Sequence, residues 1–549
     1  MDWSTACPDW ERRILAHESL IPFLPLFPAE AERALQVFRE LQVIDVAGSP
    51  KMGAICRPWL TDFVGSVFGA YDPDCGRRLI TEFFMLISKK NAKSTTAAGI
   101  MLTALILNWR QSAEFLILAP TIEIANNSFY PARDMVRADD ELSALMQVQD
   151  HLRTITHRNS GATLKVVAAD NETVSGKKAT GVLIDELWLL GKRSNAENML
   201  REATGGLASR PEGFTIFLST QSDEPPVGVF RQKLQYARGV RDGRIDDKRF
   251  LPVLYEFPQA LLKEKQERNK DFFYVTNPNL GASVDAEFLA RELQKAENDG
   301  EDSMRGFLAK HLNVEIGLAL KSDRWAGADF WESCAVESLS FEDLLKRSEI
   351  IVVGIDGGGL DDMLGMAALG RDAETRDWLH WAHAWIHPIV LERRKIDAPL
   401  FRDFERDGDL TIVANIGEDV EEAADYVRRA EDAGVLDKIG VDQAGIGAII
   451  DAIVDREIEQ DRIVGIPQGW RLVGAIKTAE RRCAERALKH GGRRLMAWCV
   501  GNARVEPRGN AVIITKQAAG SAKIDPLMAT FNAVALMSMN PQPKKSFWE

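Results

Sequence analysis

Residues 83–105 read FFMLISKKNAKSTTAAGIMLTAL, an apolar run that breaks into a lysine-rich polar loop and resumes as a run with helical spacing. A strand of this kind has no face to offer water, so it belongs in a sheet covered on both sides. A loop leading straight into a helix also aims free backbone amides at whatever anion sits before it. The same rhythm recurs to about Pro226, in RLITEFFMLIS, FLILAP, TLKVVAAD, GVLIDELWLL and FTIFLST. Apolar runs alternating with helical ones predict an α/β sheet with covering helices.

The loop itself is close to a phosphate-binding loop, GxxxxGK[ST], but Ile87 and Ala92 stand at the glycine positions while Lys93 and Ser94 match. In such a loop the lysine reaches the outer phosphates and the hydroxyl meets magnesium. Lys93 and Ser94 are therefore the phosphate candidates for ATP, within a nucleotide-binding run of Lys89, Lys90, Asn91, Ala92, Lys93, Ser94 and Thr95 in which Lys89 or Lys90 adds charge. Asn91 is the residue expected to take up the backbone freedom that the missing glycines would have given. Taken alone, the stretch reads equally well as a solvated basic turn ahead of a helix.

Downstream order favours the nucleotide. GVLIDEL ends an apolar run in Asp185 and Glu186, the form of a Walker B strand. Asp185 would hold the magnesium and Glu186 would orient or deprotonate the attacking water. A helix start is the other reading of this acidic pair, and the two are compatible. FTIFLSTQ then ends another buried-looking strand in Ser219, Thr220 and Gln221, placed to sense the γ-phosphate.

From Val227 to Arg324 the pattern turns charged and helical, and a second α/β rhythm follows in EIIVVGIDGGG, LTIVA, KIGVDQAG, RIVGIP and AVIITK. It sets Asp356 and Asp442 on apolar strands and Asp525 at the entry of the apolar helix KIDPLMATFNAVAL. Three carboxylates from separate elements suit a site for two ions, magnesium or manganese, that cuts phosphodiesters. This is similar to RNase H-like nucleases, which pair a first-strand Asp with a late-helix Asp. Each acid also has an ordinary reading: Asp356 as a turn residue, Asp442 as a strand terminator, Asp525 as a helix N-cap. Asp361 and Asp362 are weaker candidates for a further ligand or outer acid. A DNA-facing helix is suggested by KTAERRCAERALKHGGRRLMAW, with Ile476, Ala479, Cys483 and Ala487 inward and Arg482, Arg486 and Lys489 outward. A solvated helix face explains that stretch equally well.

A chain of 549 residues exceeds what one core supports, so two large domains are expected. The net charge of −13 argues against a protein that coats nucleic acid non-specifically, while leaving room for a local basic channel. The six cysteines form no CxxC pair, which favours reduced, mostly buried thiols. No apolar run reaches the ~20 residues of a membrane span and the first residues lack a signal-peptide pattern, so the expectation is cytoplasmic.

The motifs in this order resemble the large terminase subunit of tailed double-stranded DNA phages. The resemblance runs from about Arg57 to Met539 through RPWLTDFVGSVFG, ISKKNAKST, VVAADNETVSGKKATGVLIDELW, RPEGFTIFLSTQ, NPNLG, VVGIDGGG and KIDPLMATFNAVAL. It implies an N-terminal P-loop (ASCE-type) ATPase domain, a helical linker and a C-terminal RNase H-like nuclease domain. The expected bounds are 1–56 for an N-terminal helical segment, 57–249 for the ATPase core, 250–325 for the linker or lid, 326–540 for the nuclease and 541–549 for a loose tail.

The family further implies ATP and Mg2+ at Lys93, Ser94, Asp185 and Glu186, coupling through Ser219 to Gln221, and Mg2+ or Mn2+ at Asp356, Asp442 and Asp525. Implied partners are double-stranded DNA, a small terminase subunit, the portal of the procapsid, and copies of the chain in a ring, a pentamer when packaging and a monomer when free. The implied location is the cytoplasm of the infected host, docked transiently on the procapsid and absent from the mature virion. Two departures stand out. Trp59 is followed by Leu60 and Thr61 where the family often has Trp-Gln on the adenine side, and Arg153, Arg158, Arg201 and Arg210 compete as arginine finger. Two other functions fit fewer of these motifs: a cellular helicase-nuclease and a structural DNA-binding protein that hydrolyses nothing.

Overall fold

Apolar runs of five or six residues make the first sheet. In the computed structural model, which describes residues 3–168, 179–193, 195–316, 325–336, 339–395, 397–442, 447–508, 511–514 and 523–543, the chain divides into two units, Met1–Ile316 and Gly317–Glu549. The segment DNETVSGKK up to residue 178, residues 443–446 and the last six of the expected tail lie outside the described residues.

In the first unit the strands are β1 (Glu82–Leu86), β2 (Glu114–Ala119), β3 (Met146–Gln149), β4 (Thr154–His157), β5 (Thr163–Ala168), β6 (Ala179–Ile184), β7 (Phe214–Ser219) and β8 (Phe250–Leu254). Their spatial order is β8-β1-β7-β6-β2-β5-β4-β3. The pairs from β8 to β5 are parallel and the last two antiparallel. The apolar strands β6, β7 and β8 are buried at every position, as strands covered on both faces must be. The antiparallel pair β3–β4 carries polar residues at the sheet edge and has no counterpart among the strands read from hydropathy.

β8 also departs from the sequence reading, which began the helical linker at 250. FLPVL pairs in parallel with β1, Phe250 opposite Glu82 and Leu254 opposite Leu86. Pro252 disguised it, yet proline is tolerated on an edge strand, where one side needs no donor. Helices then do follow. α3 (Ala286–Asp299) and α4 (Glu301–Leu312) are separated by Gly300 at φ +101°, and both belong to the first unit. Two further helices matter there: α1 (Lys93–Ile106) and α2 (Leu187–Gly191). The N-terminal segment is helical as expected and packs on α1, where Phe38 lies against Gly99.

In the second unit, β9 (Ser348–Gly357), β10 (Met363–Asp372) and β11 (Trp378–Ile386) form an antiparallel meander. β12 (Leu410–Ile412), β13 (Leu436–Asp442), β14 (Ile463–Ile466) and β15 (Leu488–His490) add in parallel, giving β12-β11-β10-β9-β13-β14 with β15 also on β11. β10 and β11, buried throughout, escaped the hydropathy reading, because Gly365, Gly370, His380 and His383 interrupt their apolar runs. AVIITK, by contrast, contributes Ala511–Ile514 to a separate two-stranded ribbon.

Helices cover both faces of this sheet. One core packs under α5 (Val473–Ala484) and α6 (Asp525–Met537), the other under the helices Phe341–Arg347 and Glu418–Asp432. α6 lies hard on β9: a Cβ at Gly354 would stand 1.9 Å from the Ala529 carbonyl oxygen, so only glycine permits that approach.

Candidate nucleotide and nuclease sites

The loop between β1 and α1 keeps its shape without glycine. Lys90 and Ala92 adopt the left-handed φ of +71° and +56°, while Asn91, expected to take that role, does not. The physical reason lies in the side chain. Asn91 is fully buried, and its amide nitrogen donates to the Ser88 carbonyl at 3.1 Å and to Asn277 Oδ1 at 2.8 Å. Its Oδ1 accepts from the Asn279 backbone at 3.1 Å, and the Asn279 amide donates back to the Asn91 carbonyl at 3.3 Å. Ser283 Oγ donates to the Lys90 carbonyl at 2.6 Å. The NPNLG segment therefore clamps the loop, at residues the sequence reading quoted without a role. Trp59 joins the same network, its indole donating to Asn279 Oδ1 at 2.8 Å.

Lys93 and Ser94 open α1, with Ala92 as its N-cap. Lys93 Nζ meets Glu186 Oε1 at 2.7 Å, both side chains largely shielded. Burial works to raise the Glu186 pKa, but Lys93 at contact and Lys89 farther off overcome it and hold the carboxylate below its usual range. Its other oxygen accepts from the Trp188 indole at 2.5 Å. Asp185, one residue past β6 and 1% exposed, is pushed the other way, by desolvation first and by the Glu186 charge second. Glu186 is the N-cap residue of α2 at φ +51°, so strand-end acid and helix start coincide here.

β7 ends beside β1, with the Ile87 backbone donating to the Ser219 carbonyl at 3.0 Å. Ser219 Oγ accepts from the Trp188 backbone at 3.1 Å and donates to the Thr220 carbonyl at 2.8 Å. Gln221 is fully buried and its amide group has no hydrogen-bond partner among the described residues. Its backbone is engaged by α4, since Asn313 Oδ1 accepts from the Gln221 N–H at 3.1 Å and Lys310 Nζ donates to the Gln221 carbonyl at 3.1 Å.

Lys310 is the residue here that sequence reasoning missed. Its ammonium sits 2.9 Å from the Trp188 ring centroid, and its own carbonyl accepts from the Lys89 backbone at 2.7 Å. One residue thus touches the phosphate loop, the end of β7 and the tryptophan that holds Glu186. Burial lowers its pKa to about 7. A lysine late in a charged helix gave no signal in one dimension, because its neighbours there come from three distant segments.

The three nuclease candidates gather around the end of β9. Asp356 lies within the strand opposite Gly365 of β10 and is 3% exposed, which sets aside its reading as a turn residue. Asp525, fully buried, is the first residue of α6, whose N-cap is Ile524. Its Oδ1 lies 3.0 Å from where a side chain at Gly357 would begin, and its carbonyl carbon 2.6 Å from that point at Gly365. Asp442 ends β13, one residue beyond Val441, the partner of Ile355. Among the described residues no group of three or more His, Cys, Asp or Glu side chains is gathered tightly enough to hold an ion. The carboxylate oxygens are nonetheless the hard donors that Mg2+ and Mn2+ take. Asp361 pairs with Arg393 at 2.8 Å and Asp362 with Lys523, so both outer acids are engaged by cations.

The basic stretch is only partly a helix face. α5 stops at Ala484 with Ile476, Ala479 and Cys483 buried, Arg482 stacks over Trp378 at 4.4 Å, and Arg486 and Lys489 fall beyond the helix end. Ala487 is half-buried. The cysteines are free thiols, four of them buried.

Two family models account for nearly the whole chain: the terminase large subunit ATPase domain matches residues 58–239 and the terminase large subunit endonuclease domain residues 245–540. The chain belongs to the terminase large subunit family. It joins an ATPase domain to an endonuclease domain. Membership in this family replaces the helicase-nuclease and structural alternatives.

The crystal structure of the HK97 bacteriophage large terminase is similar at 19% identity and TM-score 0.48, covering 92% of this chain and 99% of that one. The large terminase of a thermophilic bacteriophage, in complex with ADP, is similar at 13% identity and TM-score 0.29, covering 85% and 96%. Protein YmfN of Escherichia coli (strain K12) is 23% identical over 268 residues, which is 47% of this chain and 57% of that relative's length. Among the described residues, no helix of this terminase is long and apolar enough to cross a membrane.

Proposed function

We propose that the chain hydrolyses ATP at the β1–α1 loop to move double-stranded DNA into a procapsid, and cuts concatemeric DNA at the end of β9. The observation that carries the first half is the contact of Lys93 with Glu186 beside a loop held open by Asn91. Lys93 is parked on the general base until phosphate arrives. Transfer of Lys93 to the γ-phosphate would then release Glu186 to orient water, so hydrolysis is licensed only when nucleotide is seated. Ser94 and Asp185 would hold Mg2+, which neutralises charge on the phosphates. Ser219, Thr220 and Gln221 would relay the state of the site to α4.

In the second unit Asp356, Asp442 and Asp525 would hold Mg2+ or Mn2+, one or two ions, which stabilise the attacking and leaving oxygens of a phosphodiester. Gly354 and Gly365, on β9 and β10, let α6 lie close enough to bring Asp525 to the end of β9. Family membership supports a small terminase subunit and a portal as partners, a pentameric ring while packaging, a monomer when free, and residence in the host cytoplasm rather than in the mature virion.

The test is a pair of single variants assayed for both activities, ATP turnover and plasmid linearisation. Glu186→Gln is expected to lose turnover and keep cutting, and Asp356→Asn the reverse. Full turnover in Glu186→Gln, or undiminished cutting in Asp356→Asn, would overturn the assignment for that site.

A further inference from the structure

Several arginines of the first unit rest against carboxylates: Arg110 on Glu212, Arg137 on Asp150, Arg238 and Arg241 on Glu256. One cavity of ≈ 620 Å³ departs from this pattern. Its walls carry Arg77, Arg78, Arg201, Arg210, Lys233 and Arg249 and a single carboxylate, Glu82, so six cations face one anion in a chain whose net charge is −13. Glu82 is already taken by Lys233 at 2.9 Å.

Among the described residues only Arg201 of these arginines has an ion pair, and it is a long one. Arg78 is buried and donates to the backbone carbonyls of Glu212 and Val67, and burial pushes its pKa down to about 10. Arg210 reaches only Ser209, and its Nε is buried with no acceptor among the described residues. The carboxylate paired with Arg201 is Glu197 at 3.8 Å, and Arg77 and Arg249 form no ion pair among the described residues. Crowded guanidinium groups without counter-charge repel one another and pull unfavourably out of water unless an anion joins them.

The position excludes the nucleotide of the same chain. Glu82 and Thr215 line the cavity and begin β1 and β7, whereas the phosphate loop follows the far end of β1. Five residues at ~3.3 Å each set the two edges about 15 Å apart. Arg201 and Arg210 therefore cannot serve as fingers to the ATP bound by their own subunit. The lining also contains no Asn, Gln or Asp, the side chains that read base edges alongside arginine. What remains is a set of planar forks suited to phosphate oxygens and indifferent to sequence.

We propose that this cavity, on the strand-start edge of the ATPase sheet, binds phosphates of the double-stranded DNA backbone. The inference rests on the reading that the chain moves duplex DNA. It adds a second DNA contact to the one implied by cutting, placed on the unit that hydrolyses ATP. A motor that advances any sequence needs contacts of this class, since a base-reading grip would stall at each change of sequence.

The experiment measures binding of a fluorescein-labelled 30-base-pair duplex to the full chain by anisotropy, without divalent ions, over a series of salt concentrations. Arg201→Gln/Arg249→Gln is compared with wild type and with Arg291→Gln/Lys295→Gln, which removes the same charge from the exposed face of α3. Unchanged thermal midpoints and circular dichroism certify the folds. The expected result is about tenfold weaker binding and a log–log salt slope shallower by about two in the cavity variant alone. Equal slopes in the cavity variant and wild type overturn the proposal. A wild type that fails to bind duplex at all overturns the underlying reading instead. A parallel thermal-shift titration with tripolyphosphate separates the sources: loss of that stabilisation in the cavity variant, with duplex binding intact, would assign the cavity to a free phosphate anion and overturn the DNA assignment.

Discussion

The candidate nucleotide and nuclease sites place acids at strand ends in opposite ways. At the end of β6 the charge is met by charge: Glu186 is paired with Lys93 and steadied by Trp188. At the end of β9 the acids are placed by close backbone contact. Asp525 stands where it does because α6 lies on Gly354 and Gly365 with no side chain between. The first arrangement depends on a side-chain partner, which under the proposed mechanism is exchanged for a ligand. The second is a mould, since a contact at van der Waals limits has nowhere to move.

The most severe way to break this contrast is Gly354→Val. Overpacking against the Ala529 carbonyl is expected to cost ~3 kcal/mol or more and to remove cutting with the fold of the second unit, seen by calorimetry and plasmid assay. A folded, cutting variant would show that α6 can slide and that the mould reading is wrong.

Next in size is Glu186→Gln. Turnover should fall about 10²- to 10⁴-fold, while ATP affinity by equilibrium titration holds or increases, because Lys93 no longer has to leave a carboxylate. Weaker ATP binding in this variant would mean that the ion pair supports the site rather than restraining it.

Asn91→Ala sharpens the comparison further, removing a fully buried amide and stranding Asn277 and Asn279. A cost of ~1–3 kcal/mol should raise the KM for ATP and lower kcat while leaving cutting intact, and Asn277→Ala should reproduce it.

The last of these tests concerns Lys310 and is read from pH rather than from activity. Its pKa in the folded protein is near 7, below the ~10.4 of an unfolded lysine. Between these values the unfolded chain binds the extra proton, so wild-type stability should rise from pH 7 to 10 relative to Lys310→Met. Denaturant midpoints across that range measure it, and parallel curves would show that the ammonium keeps its proton when buried.

How much of this could be read beforehand follows from where the determinants lie along the chain. Lys93, Ser94, Asp185 and Glu186 were legible because each ends or begins an element whose apolar run announces it. The same holds for Asp356 and Asp525, on a strand and a helix of strong hydropathy. Lys310, Asn277 and Asn279 were not legible as site residues, since their roles exist only once α4 and the NPNLG segment return to the loop. β8, β10 and β11 were hidden by Pro252, glycines and histidines that break an apolar pattern without breaking a strand. The end of α5 was overrun for the converse reason: charged residues continue at a helical spacing past Ala484, although the backbone turns at Arg486, φ +55°.

The asparagine clamp also bears on heredity. A phosphate loop that carries its own glycines holds the freedom for its turn within itself. Here the conformation of residues 88–92 is stored in hydrogen bonds to Asn277 and Asn279, 186 and 188 positions away. The loop and the NPNLG segment therefore form one inherited unit split across the chain, and a graft of ISKKNAKST alone into a foreign sheet would carry the letters without the shape.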